Sequence, residues 1–256
     1  DVYKRQTYAF KDYALQFLGN LFSKSLEMSP KKITILGATS GDTGSAAIHS
    51  FKSKKDINVF ILHPHNKVSS IQQKQMTTVI EKNIFNIAID GNFDDCQKIV
   101  KELFVDDEIQ KSTSLTAVNS INWARLIAQV VYYFWAYLQT DKQQINFIVP
   151  SGNFGNIFSA FVAKQMGLPI GHLHIATNSN DILKSIVDNG EMKKKSVSQT
   201  YSPSMDIQVS SNFERQIFES LNRDSNKLNE IFETFSSKGF YQFDDAVLAK
   251  FQQIYK

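Results

Sequence analysis

The hydrophobic pattern of the chain alternates between two spacings. Short continuous apolar runs are typical of buried strands, and between them apolar residues recur at the spacing of one helix face. The predicted strands are residues 31–36, 57–62, 83–90, 115–118, 145–150 and 172–177. The predicted helices are residues 10–22, 45–51, 69–82, 92–105, 121–139, 157–164, 181–187, 210–221, 228–236 and 243–255. This alternation predicts an α/β fold whose parallel sheets are covered by helices on both faces.

One of these helical patterns is unusually long. Residues 121–139 carry large apolar side chains, among them Trp123, Val130 and Trp135, at helical spacing. The pattern predicts a single long helix that is largely buried.

A glycine loop follows the predicted strand 145–150 and precedes a predicted helix. Its residues are Gly152, Asn153, Phe154, Gly155 and Asn156. Glycines let the backbone approach a ligand closely, and the amides and dipole of a helix N-terminus favour an anion. The loop therefore predicts a phosphate site, although a plain strand-to-helix turn would have the same pattern.

A second junction of this kind follows the predicted strand 31–36. Glycines at 37, 41 and 44 fit neither the nucleotide P-loop nor the dinucleotide-binding spacing. Hydroxyls and amides near a helix N-terminus would still suit a carboxylate or a phosphate. Asp42 has a simpler interpretation as the cap of the helix that follows.

Lys11 lies near the start of the first predicted helix. The positive end of the helix dipole opposes an ammonium there, so we expect its pKa to be lowered. A surface lysine is the alternative.

Composition excludes several classes of function. The chain has 256 residues, a formal charge of +3 and 42% hydrophobic residues, which is ordinary for a globular protein and gives no sign of nucleic-acid binding. Cys96 is its one cysteine, so no internal disulfide can form and we expect a cytoplasmic location. Cys96 lies in an amphipathic helix pattern that predicts a buried thiol. The histidines show no metal-ligand spacing, and no apolar run would span a membrane.

The ends of the chain resemble cut ends. It starts at Asp1 rather than at Met, and it stops at Lys256 within a helical pattern. We therefore expect a segment of a longer protein, in which residues 1–6 need not be genuine. The predicted organisation is an N-terminal segment 1–28 with the Lys11 helix, a smaller α/β domain 29–140, and part of a larger α/β domain 141–256.

Three stretches of the sequence together resemble one known family. Residues 7–12, Thr-Tyr-Ala-Phe-Lys-Asp, resemble the motif whose lysine carries pyridoxal 5′-phosphate. Residues 39–44, Thr-Ser-Gly-Asp-Thr-Gly, resemble a substrate loop, and residues 150–156 resemble a cofactor-phosphate loop. The family is threonine synthase, among the fold type II pyridoxal-phosphate enzymes. Residues 119–125, 176–181 and 203–207 also resemble family stretches, so the likeness runs from about residue 7 to the end.

The resemblance implies a fold, a cofactor and a reaction. The fold would have two open, mainly parallel sheets flanked by helices, as in the tryptophan synthase β subunit, and would be incomplete at both ends of this chain. The cofactor would be pyridoxal 5′-phosphate, with no metal. The reaction would convert O-phospho-L-homoserine and water to L-threonine and phosphate, by a monomer or a homodimer.

The resemblance also assigns roles to residues. Lys11 would bind the cofactor aldehyde and act as the general base at the α-carbon. The amides of Gly152, Asn153, Phe154, Gly155 and Asn156 would hold the cofactor phosphate. The expected substrate-binding residues are Thr39, Ser40, Gly41, Asp42, Thr43, Lys67, Asn119 and Arg125. Among them, Lys67 and Arg125 are candidates for the substrate phosphate.

Several alternatives stay open at this point. A dehydratase or a cysteine synthase of the same fold would use a similar lysine and glycine loop, and a non-catalytic relative would bind a phospholigand without turnover. The part of the family sequence that brings a hydroxyl residue to the pyridine nitrogen would lie beyond Lys256. We therefore expect the chain as given to bind the cofactor incompletely and to turn over slowly.

Overall fold

The structure is a computed structural model that describes residues 7–29, 31–39, 41–119 and 122–256. Contacts within the chain divide it into two compact units, Asp1–Ala128 and Gln129–Lys256. The division into segments 1–28, 29–140 and 141–256 stays a prediction.

The first unit contains a parallel four-stranded sheet in the order β3-β2-β1-β4. Its strands are β1 (Ile33–Ala38), β2 (Ile57–Pro64), β3 (Ile84–Ile89) and β4 (Ser114–Thr116). Its helices are α1 (Lys11–Met28), α2 (Asp42–Phe51), α3 (Ser70–Thr77), α4 (Phe93–Val105), α5 (Asp107–Ser112) and α6 (Trp123–Ala128). Each of the connections β1–α2–β2 and β2–α3–β3 is a strand–helix–strand unit, which the alternating pattern predicts.

The two faces of this sheet bury separate apolar clusters. Successive side chains of a strand point to opposite faces. Ile35 of β1 and Val59 of β2 therefore pack with residues of α1 and α2 in one cluster, and Leu36 and Leu62 pack with residues of α4 in another. The prediction of a sheet covered on both faces is confirmed for this unit.

The buried thiol is also confirmed. Cys96 lies on α4 in the second of these clusters, and burial raises its pKa, so the reactive thiolate is scarce.

The second unit has a parallel strand pair and a short antiparallel pair. The parallel strands are β5 (Ile145–Pro150) and β6 (Ile170–Ala176), and the antiparallel strands are β7 (Glu191–Lys193) and β8 (Phe240–Gln242). Its helices are α7 (Val130–Leu138), α8 (Gly155–Gln165), α9 (Ile182–Asn189), α10 (Phe213–Ser220), α11 (Ser225–Lys238) and α12 (Asp245–Ile254). The sequence pattern missed β7 and β8, because strands of three residues are too short to show a period.

An aromatic cluster forms part of the core of the second unit. The ring of Phe154, at the start of α8, lies edge-on to Phe213 of α10 at 5.0 Å and to Tyr255 at 5.3 Å. Tyr255 follows α12 and bridges to β6 through Leu173. The glycine loop is thus anchored by its own aromatic residue to the last helix of the chain.

The prediction of one long, buried helix over residues 121–139 is wrong. Residue 121 lies outside the described residues, and the remainder forms α6 and α7 with a break at Gln129. The Gln129 carbonyl accepts a hydrogen bond from the amide of Tyr132, three residues later, which is the tighter 3₁₀ pattern. Several apolar side chains on these helices are exposed, including Trp135 at 66%. Periodicity alone could not show either feature.

One face of β5 also differs from the expectation of full coverage. Asn146, Ile148 and Pro150 alternate along the strand and are exposed.

Across the described residues, no helix is long and apolar enough to cross a membrane.

Candidate active site

Residues 7–12 form a hydrogen-bonded turn, the Lys11 motif, that fixes the backbone at Lys11. α1 begins at Lys11, as predicted, and the next residue, Asp12, is 2% exposed. The Asp12 carboxylate accepts hydrogen bonds from the amide of Thr7 at 2.9 Å and from its hydroxyl. This contact folds the chain from Thr7 into a turn around the helix start, so the lysine is presented from a fixed backbone.

The Lys11 amine forms an ion pair with Asp42, the first residue of α2. Nζ lies 3.1 Å from Asp42 Oδ2, and the two side chains are 14% and 23% exposed. Burial lowers the pKa of Lys11 below its usual value, and Asp42 counteracts part of that effect. The expected direction is confirmed, but its main physical cause is desolvation rather than the helix dipole.

Arg125 adds a second charge to this environment. It lies on α6, is 2% exposed, and donates from Nη1 to the Val118 carbonyl at 2.9 Å. Its positive charge also lowers the pKa of Lys11. The structure therefore brings together Lys11, Asp42 and Arg125, which lie far apart in the sequence.

The loop that follows β1 is closed by Thr39. The Thr39 hydroxyl accepts hydrogen bonds from the amides of Gly41 at 3.0 Å and Gly44 at 2.8 Å, so it organises the loop. Ser40 lies outside the described residues. Gly41, rather than Asp42, is the N-cap residue of α2, and the first-turn amide of Gly44 is bound by Thr39 rather than by Asp42. The capping interpretation of Asp42 is therefore wrong, because its carboxylate is used by Lys11.

The other expected substrate residues differ in how much of each is exposed to solvent. Thr43 is partly buried in the first turn of α2. Lys67 is exposed between β2 and α3, where its amide approaches the Pro64 carbonyl at 3.4 Å. Asn119 is exposed, and its carbonyl accepts a hydrogen bond from the amide of Asn122 at 3.2 Å. Their roles toward a substrate stay predictions.

The glycine loop of the second unit joins β5 to α8. Phe154 has a φ of 63°, a left-handed conformation that turns the backbone sharply into the helix. The N-cap residue Phe154 makes no side-chain cap bond, and the first amides of any helix lack partners within it. The first amide with its usual helical partner is that of Phe158, which donates to the Phe154 carbonyl at 2.9 Å. The helix start thus has the general form of an anion site.

Both asparagines of the loop are held by neighbouring elements. The Asn153 carbonyl accepts from the amide and from the side chain of Asn212, at 3.1 Å each. Tyr133 of α7 directs its hydroxyl at the Asn156 carbonyl, 2.8 Å away, and at Asn156 Oδ1, 2.6 Å away. The loop is therefore fixed at both ends by side chains that its own sequence does not include.

Gly152 lies against the segment 203–207. A Cβ at this position would lie 3.0 Å from Ile207 Cδ1 and 3.1 Å from Met205 Cα, so a larger residue would displace this backbone. Asp206 anchors the segment. Its Oδ1 accepts from Asn178, Asn180 and Thr200, and its Oδ2 accepts from the Thr200 amide.

Sequence reasoning missed the residues that support these groups. They are Asp12, Gln72, Gln75, Tyr133, Asn178 and Asn212. One usable signal existed for the two glutamines, because they stand three positions apart and so share one face of the predicted helix 69–82. Asn178 and Asp206 belong to stretches that the family resemblance noted without a role.

Comparison with known proteins agrees with this arrangement. Residues 3–236 match the family model described as "Pyridoxal-phosphate dependent enzyme". A threonine synthase of Pseudomonas aeruginosa is 48% identical over 247 residues, which are 96% of this chain and 53% of that protein. A threonine synthase of Saccharomyces cerevisiae is 46% identical in an alignment 270 positions long that covers 97% of this chain and 52% of that protein.

A solved structure supports the same conclusion. The pyridoxal-phosphate-bound threonine synthase of Brucella melitensis superposes with a TM-score of 0.91 at 45% identity, covering 98% of this chain and 54% of that one. The chain spans about half the length of the curated relatives it matches. The predicted fold class, with its mainly parallel sheets, is confirmed, as are the family and its cofactor, pyridoxal phosphate. By the extent of the matched residues and the closeness of the superposed fold, the chain belongs to the pyridoxal-phosphate dependent enzyme family.

Proposed function

We propose that this chain carries the Lys11 part of a threonine synthase, which converts O-phospho-L-homoserine and water to L-threonine and phosphate. The observation that carries the proposal is the identity of 46–48% to threonine synthases of Pseudomonas aeruginosa and Saccharomyces cerevisiae, over nearly the whole chain. In this reaction the γ-carbon loses phosphate and becomes a methyl group, and the β-carbon gains the hydroxyl of water.

The residues present fit pyridoxal phosphate. A lysine with a pKa lowered by burial reaches its neutral, nucleophilic form more readily than an exposed one. The start of α8, where the N-cap residue Phe154 makes no side-chain cap bond, suits a phosphate group. The cofactor, when bound, supplies stabilisation of the negative charge that forms at the substrate α-carbon.

Lys11 performs the proton transfer in this proposal. Its neutral Nζ takes the proton from the α-carbon, and the resulting ammonium is stabilised by Asp42 at 3.1 Å. The partial burial of the pair excludes water from the amine, which strengthens that attraction. The negative charge of Asp42 thus balances the positive charge that Lys11 gains when it takes the proton.

Other residues of the chain are proposed to bind the substrate. The loop of Thr39, Ser40, Gly41, Asp42 and Thr43 would hold the amino-acid end of the substrate. Lys67 and Asn119 are exposed and Arg125 is buried, so we propose the lysine for first contact with the substrate phosphate and the arginine for a fixed positive charge behind it. A cytoplasmic location and a monomeric or homodimeric state stay predictions.

A labelling experiment tests the assignment of Lys11. Pyridoxal phosphate is added to the full chain, borohydride fixes the cofactor to the amine that holds it, and the labelled peptide is identified by mass spectrometry. We expect the label at Lys11 and its loss in Lys11→Ala. The matched control is Lys24→Ala, on the same helix but exposed and paired with Glu27, which should keep the label. A label at another lysine would contradict the assignment.

The products separate the proposed reaction from its alternatives. Phosphate and L-threonine are measured with O-phospho-L-homoserine, and pyruvate is measured with L-serine. We expect phosphate and L-threonine in equal amounts, and a decrease of at least about a thousandfold in Lys11→Ala, because the base is then missing. Pyruvate from L-serine without threonine from phosphohomoserine would favour a dehydratase instead.

A further inference from the structure

Helix α3 presents two glutamines to the Lys11 motif. Gln72 and Gln75 are three positions apart, so they share one face of the helix. Both are partly buried, and the next residue, Met76, is fully buried in the core cluster beside α2. Helix α3 is therefore anchored to the core by a residue next to Gln75 and one turn from Gln72.

Gln75 contacts the beginning of the motif. Its side-chain Nε2 donates to the Thr7 carbonyl at 3.2 Å, and its backbone carbonyl oxygen lies 3.1 Å from His49 Nε2. Thr7 in turn binds Asp12, so this contact holds the turn that leads into Lys11.

Gln72 contacts the partner of the lysine. Its Nε2 donates to Asp42 Oδ1 in a short hydrogen bond, and the other carboxylate oxygen, Oδ2, binds Lys11 Nζ at 3.1 Å. The Gln72 amide oxygen is held in turn by the Ser69 hydroxyl at 3.0 Å. Each oxygen of Asp42 therefore has a different partner, and the rotation of the carboxylate is restricted from the side opposite the amine.

Gly41 makes room for this contact. Its φ is 139°, and a Cβ there would overlap Gln72 Oε1. The residue before Asp42 must lack a side chain for the Gln72 amide to reach the carboxylate.

We propose that Gln72 is a positioning residue that acts on Lys11 through Asp42, by keeping the carboxylate directed at the amine. The inference deepens the proposed function, because it concerns the amine to which that function assigns the cofactor and the proton transfer. Gln72 is neutral and touches the carboxylate rather than Lys11, so its effect on the amine is indirect.

The charges around Lys11 determine the direction of the effect. Asp42 on α2 raises the pKa of Lys11, and burial and Arg125 on α6 lower it. Asp12, the neighbour of Lys11, is occupied by Thr7, and His49 on α2 faces Asp12. Loss of the Gln72 amide frees Asp42 to turn away, which weakens the one contribution that raises the pKa. The pKa of Lys11 should therefore fall.

The pKa of the Lys11 amine is measured by competitive acylation across pH with mass spectrometry. The sample is the full chain after hydroxylamine has removed any bound aldehyde. Gln72→Met keeps the length of the side chain and removes its donor, and Gln73→Met is the matched control on the same helix. We expect Gln72→Met to raise the neutral fraction of Lys11 about threefold at a pH below its pKa. Gln73→Met should match the wild type.

A double-mutant cycle distinguishes action through Asp42 from general loosening. Asp42→Asn should raise the neutral fraction more than Gln72→Met does, and Gln72→Met added to Asp42→Asn should cause no further change. An additive effect, or equal pKa values of Lys11 in Gln72→Met and Gln73→Met, would overturn the proposal.

Two features keep the outcome interpretable. If Gln72→Met does not fold, Gln72→Asn replaces it in the cycle, because it retains the amide but is one methylene too short to reach Asp42. The measurement uses no substrate, so failure of the threonine synthase proposal leaves this result intact, and the reverse also holds.

Discussion

Tyr133 supports the start of α8 with one hydroxyl group. It is 4% exposed, and its hydroxyl lies 2.8 Å from the Asn156 carbonyl and 2.6 Å from Asn156 Oδ1. Tyr133→Phe removes the donor and leaves buried acceptors at the beginning of the helix. We expect the free energy of unfolding to fall by about 1–3 kcal/mol, measured by urea denaturation.

A second tyrosine on the same helix gives the control. The hydroxyl of Tyr137 lies 3.4 Å from the Gln143 carbonyl in an exposed contact, so Tyr137→Phe should cost less than about 0.5 kcal/mol. Equal decreases in the free energy of unfolding in the two variants would show that the buried hydrogen bond contributes no more than the exposed one.

At the scale of the residue, the lysine was predictable and its partner was not. Lys11 at the start of a helix follows from the local pattern. Its partner Asp42 is 31 positions away, and a carboxylate at the start of a helix has a more common role as a cap. Only the packing of α1 against α2 decided between the two roles.

Asp206 organises the segment that lies against Gly152. Both carboxylate oxygens accept hydrogen bonds, and Oδ2 accepts from the Thr200 amide at 3.0 Å. Asp206→Asn replaces one acceptor by an NH₂ group, so one of the present donors would face another donor. We expect the amide hydrogens of residues 198–207 to exchange at least about fivefold faster, because opening the segment becomes about 1–3 kcal/mol easier.

An exposed aspartate serves as the comparison. Asp188 forms an i,i+4 ion pair with Lys184 on α9, and pairs of this kind contribute little. Asp188→Asn should leave exchange in residues 198–207 unchanged. Unaltered exchange in Asp206→Asn as well would mean that the network does not hold the segment closed.

At the scale of the element, most strands and helices were predictable within a few residues. The exceptions, which include the unpredicted six-residue helix α5, have physical causes. β7 and β8 are too short for periodicity, and the break between α6 and α7 lies within a continuous apolar pattern in which Gln129 is the one polar exception nearby. The hydrogen bonds of Asp206 reach Asn178, 28 positions away, and no local pattern encodes such a contact.

Two buried tyrosine hydroxyls should make the free energy of unfolding of the chain fall at alkaline pH. Burial raises the pKa of Tyr133 and of Tyr255 well above the ordinary value. Below a pH of about 10 both groups are neutral in the folded and unfolded states, and their contribution is fully present. As the pH rises further, the unfolded chain loses these protons while the folded chain keeps them, so the folded state is penalised.

We therefore expect stability to fall above a pH of about 10. Each tyrosine should contribute a slope of up to about 1.4 kcal/mol per pH unit. Urea denaturation at several values between pH 8 and about 11 measures it, and Tyr133→Phe should make the decline shallower by one such contribution. A slope that Tyr133→Phe leaves unchanged would show that this phenol already ionises freely in the folded chain.

The sequence by itself determined the α/β class, the parallel pairing expected of successive strand–helix units, the helix start at Lys11 and the glycine loop before α8. These are local features, set by side-chain periodicity, by helix formation and by the conformational freedom of glycine. Only the tertiary structure decided which charge the lysine meets, which helix supports that charge, and which side chains fix the glycine loop. Such contacts join residues that are distant along the chain, and they depend on how helices pack on a sheet, where the pattern of a single segment gives no information.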